Sequence, residues 1–379
     1  MTDDPLLRHR KAFPVTAEYA YLNHASIAPL PHRAAERMKA LADVVSRTGD
    51  RRWLERNAEV ERVRGLAARL LGAHDPREVA FTENTSAGLS LIAGGFAWQA
   101  GDNIVGAELE FPSNVYPWMQ LAGLGVEYRT VPERDVRIDP DELLARVDGR
   151  TRMLVLSSVQ YASGFRSDLS RLGAFCRERG IVFVVDAIQS LGGLAHDVER
   201  ENVDVLAAAS HKWLLGPEGI GVLYVSDRIV ERICPVHSGW RSMRDQINWT
   251  ALSLDWNEGA KRFESGTLNM YGIAALGASL ELLLEAGPTL IEQRVLALAD
   301  RAAAGLAERG FDLISSRRPG ETSGIVTAIH PKFATAELVR SLAARNIVVA
   351  NRAGRLRVSA HFYNTEEEVD RMLEAVTAA

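Results

Sequence analysis

The sequence predicts an α/β fold: a mostly parallel seven-stranded sheet with helices on both faces, joined to a smaller α+β C-terminal domain. Three observations predict it. Short apolar runs near residues 79–82, 103–107, 126–131, 152–157, 181–186, 203–209 and 219–225 alternate with helical stretches. Several polar residues suited to chemistry fall at or just past the carboxyl ends of these runs, where open α/β sheets bind ligands. From about residue 273 the pattern changes to long helices followed by short strands. The expected division is a large domain over 20–270, and a small domain made of 1–19 and 271–379.

Composition narrows the class further. With 379 residues, 47% hydrophobic and 25% charged, the chain can bury a large core and does not read as disordered. A formal charge of −5, with the arginines scattered among acids, argues against a nucleic-acid surface. No apolar stretch reaches the roughly 18 residues of a membrane span, and Met1-Thr2-Asp3-Asp4-Pro5 lacks a signal peptide's charge and apolar core, so the cytoplasm is expected. Two cysteines, Cys176 and Cys234, make neither a disulfide framework nor a metal cluster, and no Cys/His spacing suggests zinc.

Taken in order, residues 1 to about 20 are polar and are expected to pack against the C-terminal part. Tyr21-Leu22-Asn23-His24-Ala25-Ser26 reads as a short extended segment entering a loop. Helices are expected over about 32–48 and 55–71, the second ended by Gly72. After the strand Val79-Ala80-Phe81-Thr82, the run Asn84-Thr85-Ser86-Ala87-Gly88 opens a helix. Hydroxyls and free amides at a helix N-terminus form an anion site, which makes Thr85 and Ser86 a candidate phosphate cradle; alone they signify only an N-cap. The strand at 103–107 leads to Glu110-Phe111-Pro112-Ser113-Asn114, and the one at 152–157 to Ser158-Val159-Gln160-Tyr161. The stretch 234–260, with Trp240, Trp249 and Trp256, reads as loop: an aromatic substrate wall, a subunit interface, or ordinary packing. A long amphipathic helix from about 273 and a second over Ala299–Arg309 follow. Then come a strand near 324–329, a helix near 335–345, and strands near 347–351 and 354–359.

The chemistry centres on Ser210-His211-Lys212-Trp213-Leu214-Leu215-Gly216, which follows the apolar run 203–209. Lys212 is one of five lysines among 44 basic residues, and arginine cannot act as an amine nucleophile. Beside Trp213, Leu214 and Leu215 an ammonium is partly desolvated, which lowers its pKa and frees the amine to form a Schiff base with an aldehyde. Pyridoxal phosphate is the obvious aldehyde. The plainer alternative is a lysine whose stem lies along the sheet edge with its head in water. Twenty-six residues upstream, Ile181-Val182-Phe183-Val184-Val185-Asp186 reads as a buried strand ending in a carboxylate. A protonated pyridine nitrogen would partner Asp186 and keep the ring an electron sink, with Gln189 bonding the ring hydroxyl or Schiff base. By itself Asp186 also reads as a helix N-cap. Ser210 and His211 are expected to add phosphate contacts.

At these residues the sequence resembles the class V aminotransferases of the fold-type I pyridoxal phosphate enzymes, which include cysteine desulfurases, kynureninases and isopenicillin N epimerase-like proteins. The matching landmarks run nearly the whole chain: Tyr21–Ser26, Asn84–Gly88, Asp186 with Gln189, His211-Lys212, Arg262-Phe263-Glu264-Ser265-Gly266-Thr267, and Arg357-Val358-Ser359 with Tyr363-Asn364.

The resemblance implies more. It makes Asn23 and His24 candidate substrate contacts, His24 being open also to a capping role in its loop. Thr267 would reach the phosphate of a partner subunit, hence a homodimer with shared sites. Phe111 stands where desulfurases carry a histidine; its ring can stack on the pyridine face but cannot shuttle protons. Its Phe-Pro-Ser context looks like kynureninase, as does Tyr161, where desulfurases have asparagine. Arg357 can clamp a substrate carboxylate bidentately, so free amino acids are the expected substrates. Arg352 and Arg355 compete for that role, and all three also read as solvated strand-edge charges. In desulfurases the loop before this arginine carries a nucleophilic cysteine; residues 347–355 here contain none. Side-chain cleavage at Cβ, kynureninase-like or carbon-sulfur lyase-like, is favoured. Transamination or epimerisation through Cα proton abstraction is the alternative, and a non-catalytic cofactor-binding protein a remote one.

Overall fold

The structure is a computed structural model describing residues 4–377 except 133, 135, 249 and 251, so Trp249 lies outside the described residues. The central sheet has seven strands: β1 Val79–Thr82, β2 Asn103–Ala107, β3 Glu127–Val131, β4 Thr151–Ser157, β5 Val182–Asp186, β6 Val205–Ala209 and β7 Gly221–Val225. Their order is β1-β7-β6-β5-β4-β2-β3. Only β7 runs against its neighbours, antiparallel to both β1 and β6.

Helices cover both faces, so β2, β5, β6 and β7 are buried at every residue, as near-continuous apolar runs should be. Alternation still divides their side chains. In β5, Phe183 and Val185 join one apolar cluster, while Val182 and Val184 join the cluster on the opposite face. β3 closes one edge and is mostly half-exposed.

Helices His32–Thr48 and Trp53–Leu71 form as expected. Gly72 ends the second in the left-handed region at φ 68°, where its amide bonds back to the carbonyl of Arg69. Both pack on Met270–Ala286, a helix buried on nearly every side. The expected second helix over Ala299–Arg309 is instead the end of a 21-residue helix, Pro288–Glu308. The break falls at Gly287-Pro288, because Gly287 takes φ 88° and Pro288 has no amide to continue the preceding helix. These two helices meet at 82°, and among the described residues no single helix is long and apolar enough to cross a membrane.

The small sheet has four strands in the order Ala350–Arg352, Arg355–Val358, Val326–Ile329, Asp312–Leu313, all antiparallel. Ile347–Val348 leaves this sheet to pair in parallel with Ala20–Tyr21. Two segments therefore sit across the expected domain boundaries: Ala20–Tyr21 lies with the C-terminal part, and Met270–Ala286 with the large sheet's helices.

Candidate active site

Lys212 begins the tight turn after β6. Gly216 N–H bonds Ser210 O at 2.9 Å and Leu215 N–H bonds Lys212 O at 3.0 Å. A Cβ on Gly216 would lie 2.6 Å from the Ser210 Cβ, and Leu215 is held at φ 57°. The helix behind braces that strained residue, through a 2.7 Å hydrogen bond from Ser279 Oγ to Leu215 O. Lys212 is thus fixed at a strand end. Burial lowers its pKa to about 8; Asp186 opposes the shift, while Arg357 and Arg352 add to it. Its amine stands 5.7 Å from the centre of the Phe111 ring, and Phe111 meets Tyr161 edge to face at 5.2 Å.

Asp186 ends β5 at 1% exposure, with Oδ1 accepting from Ile188 N–H at 3.0 Å. Its Oδ2 is buried with no partner. Burial raises its pKa to about 6, against the backbone bond and the charge of Lys212. An orphaned carboxylate oxygen in an apolar floor asks for a cationic donor. The protonated ring nitrogen of pyridoxal phosphate fits that need, and the lowered amine of Lys212 fits its aldehyde.

The phosphate end fits as well. Asn84 caps the helix Thr85–Gly95 by accepting from Ala87 N–H at 2.9 Å, leaving earlier amides free for an anion. Thr85 Oγ1 accepts from Ala209 N–H at 3.0 Å, which ties this N-terminus to the end of β6 and keeps the hydroxyl proton available. Ser86 bonds Ser113 at 2.7 Å.

Arg357 is fully buried. Its Nη1 donates to Tyr161 O at 2.8 Å and its Nη2 to Ser26 Oγ at 2.7 Å, while Nε has no partner. Burial and Arg352 together lower its pKa to about 10. Ser26 in turn donates to Asn23 Oδ1 at 2.8 Å, so Asn23 reaches the site through Ser26. The loop carrying Tyr161 is sewn to the small domain. The carbonyls of Tyr161, Ala162, Ser163 and Gly164 accept in succession from Arg357, Thr327, Ser315 and Ser323, at 2.8, 2.8, 2.5 and 2.7 Å.

Other expected site residues lie differently. His24 is fully buried, one ring nitrogen against Ser359 O at 2.9 Å and the other against Tyr363 OH at 2.7 Å, so it braces its loop and has no nitrogen left for a substrate. Ser210 is buried and donates its only hydroxyl proton to Pro217 O, so it cannot donate to a phosphate. Gln189 donates to Ala25 O at 3.1 Å and accepts from Trp213 Nε1 at 3.2 Å, which leaves one amide N–H for a cofactor. His211 is half-buried with its pKa lowered by burial and by Lys212, and its carbonyl accepts from Ala28 N–H at 2.8 Å. Trp240 is 38% exposed. It opens a short turn in which Arg241 N–H bonds Ser265 O at 3.4 Å, so it sits by the Thr267 segment and, among the described residues, makes no ring contact or hydrogen bond with the Lys212 group. Thr267 lines a separate cavity of about 100 Å³ with Thr82, Glu83, Gly219 and Asn269.

Two residues of the site carry roles that sequence reasoning missed. Ser26 orients Arg357; it was visible only as the end of the run Tyr21–Ser26. Glu110 is buried, accepts from Ser157 N–H at 2.7 Å and Gln160 Nε2 at 2.9 Å, and also bonds Ser157 Oγ. It anchors the start of the Tyr161 loop, and its signal was a lone carboxyl just past β2. A cavity of about 700 Å³ lined by Ser158, Arg166, Ser190 and His196 holds none of Lys212, Asp186 or Arg357.

The aminotransferase class-V family model matches residues 20–372. A probable cysteine desulfurase of Pyrococcus abyssi is 30% identical, covering 96% of this chain and 95% of its own. Isopenicillin N epimerase of Streptomyces clavuligerus is 31% identical, with 94% of each chain covered. Among solved structures, the cystine C-S lyase C-DES in complex with its product cysteine persulfide superposes with a TM-score of 0.88 at 25% identity, over 96% of this chain and 99% of that one. A C-DES variant with glycine covalently linked to its PLP cofactor superposes at 0.90, also 25% identical, over 97% and 98% of the two chains.

Proposed function

This chain belongs to the class-V aminotransferase family and is a pyridoxal phosphate enzyme, and from that premise we propose that it cleaves the side chain of a free amino acid at Cβ. One observation carries the reading: the carboxylate of Asp186, with its orphaned Oδ2, and the buried guanidinium of Arg357 both act on the charge of the Lys212 amine. When bound, the cofactor supplies an electron sink that makes bonds at the amino acid's Cα and Cβ labile.

The chain's own residues do the rest. Asp186, 1% exposed, would hold the ring nitrogen protonated by placing its carboxylate against it. Thr85, Ser86 and the helix N-terminus hold the phosphate. Lys212, with its pKa lowered to about 8, is uncharged in about a tenth of molecules at pH 7, far more than an ordinary lysine, and can take or return a proton at Cα. Arg357, aimed by Ser26 and the Tyr161 carbonyl, would fix the α-carboxylate and so orient the amino acid. Phe111 and Tyr161, edge to face at 5.2 Å, favour cleavage at Cβ, because Phe111 orients a side chain without shuttling protons and the Tyr161 hydroxyl can protonate a departing fragment. Residues 347–355 carry no cysteine, so any carbon-sulfur cleavage here would proceed without a persulfide on that loop.

Epimerisation or transamination is the second reading, favoured by the 31% identity to isopenicillin N epimerase. The homodimer belongs to the proposal, with Thr267 completing the partner's phosphate site. Cytoplasmic residence also belongs to it, supported by two unpaired cysteines. Incubating the purified protein with a panel of amino acids, while following ammonia, keto acid, sulfide and chirality separately, tests the reading. A released side-chain fragment is expected; racemisation or keto acid formation with the side chain intact would replace cleavage by the second reading.

A further inference from the structure

Arg352 and Arg357 stand on one face of the small sheet. Arg357 is directly opposite Ala350 in the antiparallel ladder, and Arg352 follows Ala350 by two residues, so the pleat sends both side chains the same way. Arg355, directly opposite Arg352, shares that face. Among the described residues, none of the three has a carboxylate within ion-pair distance. Two buried guanidinium nitrogens are left without a partner, Nε of Arg352 and Nε of Arg357, an arrangement that is costly until an anion arrives. Arg352 acts electrostatically on Arg357, and both act on Lys212. The reacting centre therefore faces three cationic groups, Lys212, Arg352 and Arg357, with Asp186 as the one carboxylate among the groups acting on Lys212.

The function proposed above accounts for part of this excess: Asp186 serves the ring nitrogen, Lys212 the aldehyde and Arg357 the α-carboxylate. Arg352 remains. We propose that Arg352 receives a second anionic group on the substrate's side chain, so that the enzyme selects amino acids with a side-chain carboxylate over neutral ones. The inference rests on the roles given to Lys212 and Arg357. A guanidinium matches such a group with two parallel hydrogen bonds. The sheet face supplies the spacing, with one arginine on each of two adjacent strands.

The test reads binding, apart from turnover. The visible spectrum of the cofactor-loaded protein is titrated with L-aspartate against L-asparagine, and with L-glutamate against L-glutamine, pairs that differ by one charge. The acidic member should bind about tenfold tighter or more. Arg352→Gln should bring that ratio close to one, with Arg352→Lys between. Equal affinities within each pair, or a preference that survives Arg352→Gln, overturn the inference and leave one carboxylate shared by both arginines. Calorimetric titration of the same protein with succinate adds an arm that needs no reaction at Lys212. Succinate should bind, and Arg352→Gln should weaken it about tenfold; no binding, or binding indifferent to Arg352, overturns the proposal. Should no amino acid perturb the spectrum while succinate still binds through Arg352, the role of Lys212 falls and the second anion site stands.

Discussion

Glu110 and Asp186 are neighbouring carboxyl groups, both buried, and the charge of Asp186 acts on Glu110 and on Lys212 alike. Burial pushes Glu110 up to about 7, with the charge of Asp186 adding to the shift, and burial pushes Asp186 up to about 6. A folded pKa above the unfolded value means that stability tied to the proton on Glu110 is fully present below the unfolded pKa of 4.5 and is lost as pH rises through about 7. In Glu110→Gln the amide can accept from Ser157 N–H and donate to Ser157 Oγ. The cofactor-free variant should therefore lose less stability than the parent across this window, by up to on the order of 3 kcal/mol. Denaturant titrations at a series of pH values check it, and parallel profiles for the two proteins would count against it.

Capture of the cofactor should follow the amine of Lys212. Only the uncharged amine attacks an aldehyde, so the rate at which cofactor-free protein takes up pyridoxal phosphate should rise with pH and level off above about 8. Borohydride should then fix the cofactor to the peptide holding Lys212. Recovery of the label on any other lysine would refute the assignment.

Asp186→Asn keeps an oxygen for Ile188 N–H but cannot hold the ring nitrogen protonated. Cofactor content should stay close to the parent's while turnover falls by at least about a hundredfold, in the range of a lost charge-assisted bond of about 3 kcal/mol. A saturated Asn variant that turns over normally rules this role out.

Arg357→Lys replaces two parallel hydrogen bonds by a point charge. The Michaelis constant for amino acids should rise about thirtyfold, the equivalent of about 2 kcal/mol, with the spectrum of the loaded protein unchanged. Amines lacking the carboxylate should be poor substrates of the parent. If they react as well as amino acids, the α-carboxylate is held elsewhere.

Thr267 lines a cavity that does not include Lys212, and in the proposed homodimer it serves the partner subunit's site. Mixing Lys212→Ala protomers with Thr267→Ala protomers should restore activity, since one of the two composite sites in each heterodimer is then intact. Absence of rescue despite proven exchange, or a monomer in solution, removes the shared-site model.

Much of the large domain was legible because its strands are short apolar runs ended by polar residues, and local periodicity reports that directly. Lys212 and Asp186 were legible for the same reason: each is a charge placed where an apolar run stops. The helix break at Gly287-Pro288 was missed because the buried helix before it lacks the polar stripe that marks register. His24, Gln189 and Ser210 illustrate a different limit. Their residue types suit a cofactor, but partners more than 100 residues away commit both nitrogens of His24 and one amide N–H of Gln189, and the turn's own carbonyl takes the Ser210 hydroxyl proton. Local sequence carries no trace of such commitments. Ser26 was hidden likewise, since its partner is 331 residues distant.

The four consecutive carbonyls of Tyr161–Gly164, each held by a side chain from beyond residue 310, set how this chain can be taken apart. A fragment ending near residue 270 would surrender all four donors at once, at about 1 kcal/mol net apiece and more for any acceptor left dry. The two sheets are thus expected to melt in one cooperative transition, and a gene split at that boundary should yield halves that gain a functional Tyr161 loop only on recombination.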